Sequence, residues 1–196
     1  MIDEKFIFVA AALILFGNLS YLLYTIKGKV KPNKVTWFLW AVAPLIAFAA
    51  EAKQGVGLSS LMTFTVGVGP LFILIASFLN KKASWKVTKF DLICGVFAVV
   101  GLVLWQVTRV GNWAILLAIA ADGLAAAPTL VKAFNAPETE DYKVYLFTGL
   151  GAFVTLLAMK QWGFAHSAFP IYILLLNLIL VPLIWFKLGK IIKSYA

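Results

Sequence analysis

The sequence has one cysteine, Cys94, and one histidine, His166, and these two shortages remove whole classes of chemistry. A single cysteine forms no intramolecular disulfide, and the two residues together are too few for a zinc or iron-sulfur centre built from Cys and His. Charge is scarce as well: 13% of the 196 residues are charged, against 63% hydrophobic. A water-soluble domain of this size could not cover itself with so little polar surface, and a mean hydropathy of +0.96 points the same way. Acid is scarcer than base, 8 residues against 17, and arginine occurs once, as Arg109. The first five residues hold Asp3 and Glu4 and no basic cluster, which favours a retained helix over a cleaved signal peptide; no lipidation motif is present.

What is present in quantity is long apolar runs. Crossings are expected near 6–26, 35–51, 58–79, 91–108, 112–134, 142–159 and 167–187. At roughly 20 residues each they use about 140 residues and leave only short connections, with no room for a second folded domain. Backbone polar groups in hydrocarbon must bond within their own segment, so all of these runs are read as helices. Between them lie a lysine-rich turn (Lys27 to Lys34), a polar turn (Glu51 to Gly57), a basic loop (Asn80 to Lys89), a tight turn at Arg109, an acidic segment (Pro137 to Asp141) and a turn at Gln161 to Gly163.

The formal net charge of +9 does not form one basic face, which argues against nucleic acid as a partner. Thirteen of the 17 basic residues, from Lys27 through Lys132 to Lys193, fall on one side of the expected membrane; Lys5, Lys53, Lys160 and Arg109 fall on the other. The positive-inside rule then places the N-terminus outside and the C-terminus in the cytoplasm. Trp37, Trp85, Trp105, Trp113, Trp162 and Trp185 lie near expected helix ends, where anchoring at the interface is their default role.

Sliding the chain on itself by 105 residues pairs Leu19 with Leu124, Lys27 with Lys132, Pro32 with Pro137, Leu45 with Leu150 and Phe48 with Phe153. The layout repeats too: a helix ends at a lysine, a Pro-containing turn follows, and the next helix opens with an aromatic pair, Trp37/Trp40 against Tyr142/Tyr145. The expected fold is an all-α membrane protein of seven transmembrane helices, arranged as two parallel three-helix repeats joined by a linker helix (3+1+3). Residues 1–80 form the first repeat, 81–110 the linker with its flanking loops, and 111–196 the second repeat. The shift spans four crossings, so both copies enter the membrane in the same direction and can enclose a central solute site.

With that plan the sequence resembles the SWEET and PQ-loop superfamily of seven-helix transporters. That family carries a Pro-Gln pair toward the end of the first helix of each repeat; here Pro128-Thr129 stands in the second repeat and Leu23-Tyr24 in the first, and no Pro-Gln dipeptide occurs. Asn177 resembles the family's pocket asparagine on the third helix of a repeat, whereas the comparable stretch of the first copy, Thr63 to Pro70, has none. The resemblance implies a solute carrier working by alternating access, with an asymmetric pocket.

Asp122 is the sharpest residue-level signal. It lies about halfway along a span, where a carboxylate costs roughly 2.5 to 3.5 kcal/mol on insertion scales and must therefore face protein or water. It is expected to hold a solute, proton or cation; the alternative is a structural hydrogen bond, with Asn18 as donor. Asn18, Tyr21 and Thr25 recur at spacings of three and four, one polar stripe on the first helix that either lines a path or bonds a neighbour. Trp40 and Tyr145 form an aromatic pair that could clamp a flat solute, with interfacial anchoring as the competing role. The expected binding set is Asp122, Asn18, Asn177, Tyr21, Trp40 and Tyr145, with Pro44, Pro70 and Pro128 as hinges or static kinks. No cofactor or metal site is expected, and His166 is expected at the interface.

The leading function is a passive or ion-coupled carrier for a small polar solute, with the lipid bilayer as its other partner; a coupling proton or cation and a homo-oligomeric assembly are compatible with it. The alternative is a seven-helix receptor, sensor or sorting protein, which the same architecture resembles in the ER retention receptors. A retinal photoreceptor lacks support because the last span has no mid-span lysine. An enzyme has least support, since the spans hold one deep carboxylate, no His pair and no nucleophile motif.

Overall fold

The computed structural model describes residues 2–83, 85–108 and 111–194; Arg109 and its turn lie outside them, as does the side chain of Trp105. The described residues form helices and no strands: α1 (Phe6–Ile26), α2 (Lys34–Lys53), α3 (Ser60–Leu79), α4 (Lys89–Thr108), α5 (Gly111–Asn135), α6 (Tyr142–Ala158), α7 (Phe164–Trp185) and α8 (Leu188–Ser194), with single 3-10 turns at Gly57–Ser59 and Pro137–Thr139. The first seven lie within three residues of the expected runs. α8 is additional. It follows Lys187, whose φ of 52° reverses the chain and lays Gly189 on the Phe134 carbonyl, where a side chain would have no room.

Helix starts follow from local side chains. Asn33 caps α2 by accepting from the Val35 N–H at 3.1 Å, and Asp141 caps α6 by accepting from the Lys143 N–H at 3.2 Å. Thr88 and Asp91 bond each other's backbone N–H groups at the head of α4, a reciprocal capping box.

The interior is largely apolar with a few polar groups, but the outer surface is apolar too, unlike that of a soluble protein. On α1 the buried face carries Asn18, Tyr21 and Thr25, while Phe8, Phe16, Leu19, Leu23 and Ile26 are exposed. Apolar side chains are exposed on α3, α4, α5, α6 and α7 as well, far more than water tolerates on a monomer. Among the described residues five segments, α1, α2, α3 with its leading turn, α5 and α7, are long and apolar enough to cross a membrane; α6, at 17 residues, is apolar but shorter. Length and exposure together are those of a protein dissolved in lipid.

The helices pack in a closed ring. α1 lies against α3 and α6, α2 against α3 and α5, and α7 against α5 and α6, while α4 rests on the outside of α5 and α2. Two antiparallel seams join the halves of the ring. In one, Gly17 and Gly151 let α1 and α6 approach until an added Cβ would stand 3.2 Å from the Val144 Cα and 2.9 Å from the Ala10 carbonyl oxygen. In the other, Thr36 of α2 donates to the Ala125 carbonyl of α5 at 2.8 Å.

Not all tryptophans anchor. Trp113, Trp162 and Trp185 are exposed, as an interfacial role requires, but Trp37 is only 1% exposed and packs in the core. Its aromatic neighbours on α1 and α2 outweigh its position near a helix end. Lys132 also departs from its expected place among the surface lysines: it is 2% exposed and paired.

Candidate functional site

Inside the ring is a cavity of about 40 Å³, lined by Asn18, Trp37, Trp40, Val66, Pro70, Asp122, Val144, Tyr145, Thr148, Ile173, Leu176, Asn177 and Leu180. All six helices of the ring contribute. At about 10–15 Å³ per water-sized occupant, it has room for two to four. Five of the six expected binding residues meet here: Asp122, Asn18, Asn177, Trp40 and Tyr145. Tyr21 does not reach the wall.

Three side chains present oxygen atoms with no protein partner. Asp122 Oδ2 accepts from the Tyr172 hydroxyl at 2.6 Å, whereas Oδ1 is unpartnered. Asn18 donates Nδ2 to the Ile14 carbonyl at 2.9 Å, and Asn177 donates Nδ2 to the Ile173 carbonyl at 2.7 Å; in both, Oδ1 is left over. Each amide is thus tethered by its own helix, one turn back, which fixes which end faces outward. The expected bond from Asn18 to Asp122 does not form. Tyr172 takes that place, because α5 and α7 are direct neighbours.

Layers of side chains close the cavity on both sides. One turn toward the lysine-rich face stand Tyr21, Trp37, Trp40 and Tyr145, with successive ring centroids 4.5, 5.4 and 6.2 Å apart. Toward the opposite face Ile14, Ala47, Met62, Val66, Ala118, Ala152, Phe169 and Ile173 pack together, drawn from every helix of the ring.

Behind the aromatic layer is a buried ion pair. Lys132 Nζ lies 2.5 Å from Glu140 Oε1 and also donates to the Lys31 carbonyl, while the hydroxyls of Tyr21 and Tyr145 donate to Glu140 Oε2 at 2.9 and 2.8 Å. Trp85 covers the ammonium, its ring centroid 4.9 Å away. The acidic segment expected to be a plain connection therefore supplies a core residue. The stripe Asn18, Tyr21, Thr25 divides by depth: Asn18 faces the cavity, Tyr21 the ion pair, and Thr25 bonds back to the Tyr21 carbonyl at 2.9 Å.

Glu140 and Tyr172 escaped sequence reasoning, which gives Trp37 and Lys132 only the roles of an interfacial anchor and a charge on the lysine-rich side. Only Lys132 and Glu140 carried a signal, an opposite-charge pair flanking a short Pro-containing turn. Glu51 is a second buried acid missed in the same way, 1% exposed, with Oε1 accepting from Thr63 at 3.1 Å. Of the expected hinges, Pro70 lines the cavity, while Pro44 and Pro128 are buried within α2 and α5. His166 is half-buried in the first turn of α7. Among the described residues, no three His, Cys, Asp or Glu side chains gather as a metal site. Comparison with protein-family models, with curated proteins and with solved structures finds no match.

Proposed function

We propose that the chain is a membrane carrier that moves a small polar solute by alternating access, rocking α1–α3 against α5–α7 about the central cavity, and that it is related to the SWEET and PQ-loop transporters. The observation that carries this reading is the cavity between helices of both groups, with Asp122, Asn18 and Asn177 as polar groups on an otherwise largely apolar wall. The packing ring supports it: exchanging α1, α2, α3 for α5, α6, α7 maps every neighbour relation of the ring onto another one. So do the two closing layers, which give a bound solute a way in and a way out when opened in turn. α4 then serves as the linker, the N-terminus faces outside, and the lysine-rich face is cytoplasmic.

The test is uptake of labelled sugars, amino acids, vitamins and nucleosides into liposomes holding the purified protein. Saturable uptake of at least one is expected, and Asp122→Asn is expected to impair its rate or pH dependence while gel-filtration behaviour is kept. Unchanged transport by that variant removes Asp122 from the mechanism. Saturable binding with no flux for any solute moves the protein to the receptor or sorting class.

A further inference from the structure

Among the described residues, those around the cavity include one acid and no base. Lys132, the buried lysine of the core, is committed to Glu140 and the Lys31 carbonyl and does not line the wall. Asp122, 1% exposed, thus has its carboxylate in a low-dielectric interior with one hydroxyl donor, Tyr172, and no cation. Three acceptor oxygens, Asp122 Oδ1, Asn18 Oδ1 and Asn177 Oδ1, have no protein donor, and the amides cannot turn to present N–H because each Nδ2 is held by its own helix. Against them stand two donors among the described residues of the wall, Trp37 Nε1, which has no partner, and the Thr148 hydroxyl.

Acceptors in excess, together with a negative charge, select the ligand. An anion is repelled. A polyol brings an acceptor with every donor, and its oxygens would find few donors at this wall. Water satisfies the oxygens but leaves the carboxylate's charge unbalanced, so without a cation the acid takes up a proton. A divalent ion asks for six or more oxygens and commonly several carboxylates. We propose that the cavity binds a small monovalent cation, an alkali ion or a primary ammonium group, held by Asp122 Oδ1, Asn18 Oδ1 and Asn177 Oδ1. This rests on reading the cavity as the carrier's central site, and it names the class of the cargo or coupling ion. A volume of about 40 Å³ suits one such ion or ammonium head with a water beside it.

The experiment follows thermal unfolding of the purified protein in detergent by tryptophan fluorescence. Choline chloride is replaced stepwise, at constant ionic strength, by lithium, sodium, potassium, ammonium or methylammonium chloride; glucose and glycerol are the neutral arm. Binding to the folded state raises the unfolding temperature along a saturable curve. At least one small cation is expected to do so, the lowest midpoint naming the species, with no saturable effect of glucose or glycerol. Asp122→Asn should raise the midpoint by about tenfold or more, the size of a lost charge-assisted contact. Asn177→Leu keeps the charge and removes one oxygen, and should raise it about three- to tenfold; it decides the matter if Asp122→Asn does not fold. Acidification should raise the midpoint too, because a proton competes for Asp122. No cation-specific rise in the wild type, a rise that folded variants leave unaltered, or a saturable rise with glucose alone overturns the proposal. Flux is not measured here, so failure leaves a carrier of neutral solutes standing, and success without liposomal flux leaves a cation-binding receptor.

Discussion

At the scale of single residues, Asp122 and Glu140 are both buried acids but meet their charge in opposite ways. Glu140 is satisfied internally by one ammonium and two phenol hydroxyls; Asp122 has one hydroxyl and an oxygen left over. Removing half of a buried pair leaves an uncompensated charge, which costs about 3–5 kcal/mol, more than the pair itself is worth. Lys132→Met is therefore expected to lower stability by that amount. Adding Glu140→Gln should recover most of it, because the amide oxygen still accepts from Tyr21 and Tyr145. Unfolding midpoints of the two single variants and the double variant in mixed micelles measure this, and a double variant no better than Lys132→Met alone would show that the ion pair itself stabilises the fold.

At the scale of elements, the seam between α1 and α6 depends on missing side chains. A Cβ at Gly151 would stand 2.9 Å from the Ala10 carbonyl oxygen and 2.5 Å from Ile14, whereas one at Gly101 on α4 meets nothing nearer than 3.7 Å. Gly151→Ala is expected to destabilise by about 1–3 kcal/mol through overpacking, and Gly101→Ala to gain up to about 1 kcal/mol from helix propensity. Thermal melts of the two variants side by side check the contrast. α8 is held more weakly. Lys190 lies 2.8 Å from Glu138, both about half-exposed, and Lys193 reaches Asn135. The hydrogen bond from Lys190 holds the Glu138 carboxyl below its usual 4.5. A depressed acid contributes stability that is present above its unfolded value and lost as pH falls through the folded one, so acidification below about 4.5 should loosen α8, and Lys190→Ala should weaken that pH response, leaving the part due to the backbone hydrogen bond and Lys187. Amide exchange in α8 across that range reads it; solvent screening keeps the effect small.

At the scale of the whole molecule, the lysine-rich face is closed by contacts between the α1–α2 and α5–α6 connections, including a backbone bond from the Lys31 N–H to the Thr139 carbonyl at 3.0 Å. The proposed alternating access requires these connections to part. Lys31→Cys and Thr139→Cys, introduced together in a Cys94→Ala background, place thiols on two residues whose backbones are hydrogen-bonded, the proximity a disulfide needs. Oxidation is expected to stop liposomal flux and reductant to restore it. Flux that persists through the oxidised form would place the moving parts elsewhere. The lone native cysteine makes this background simple to prepare.

Hydropathy by itself marked the seven long helices to within three residues, whereas the caps at Asn33, Thr88 and Asp141 and the short α8 emerged only in the structure. Asp122 and Asn177 stood out because a polar residue deep in an apolar run has few places to go. Tertiary structure alone decided which helices face one another. It gave Asp122 the hydroxyl of Tyr172, 50 residues away, in place of Asn18, drew Glu140 out of a connection into the core, and moved Trp37 inward. Those outcomes depend on contacts between distant segments, and a pattern of spacing along one chain carries no record of them. Dissolution in lipid is a property of composition, whereas the gathering of polar side chains at one cavity is a property of packing.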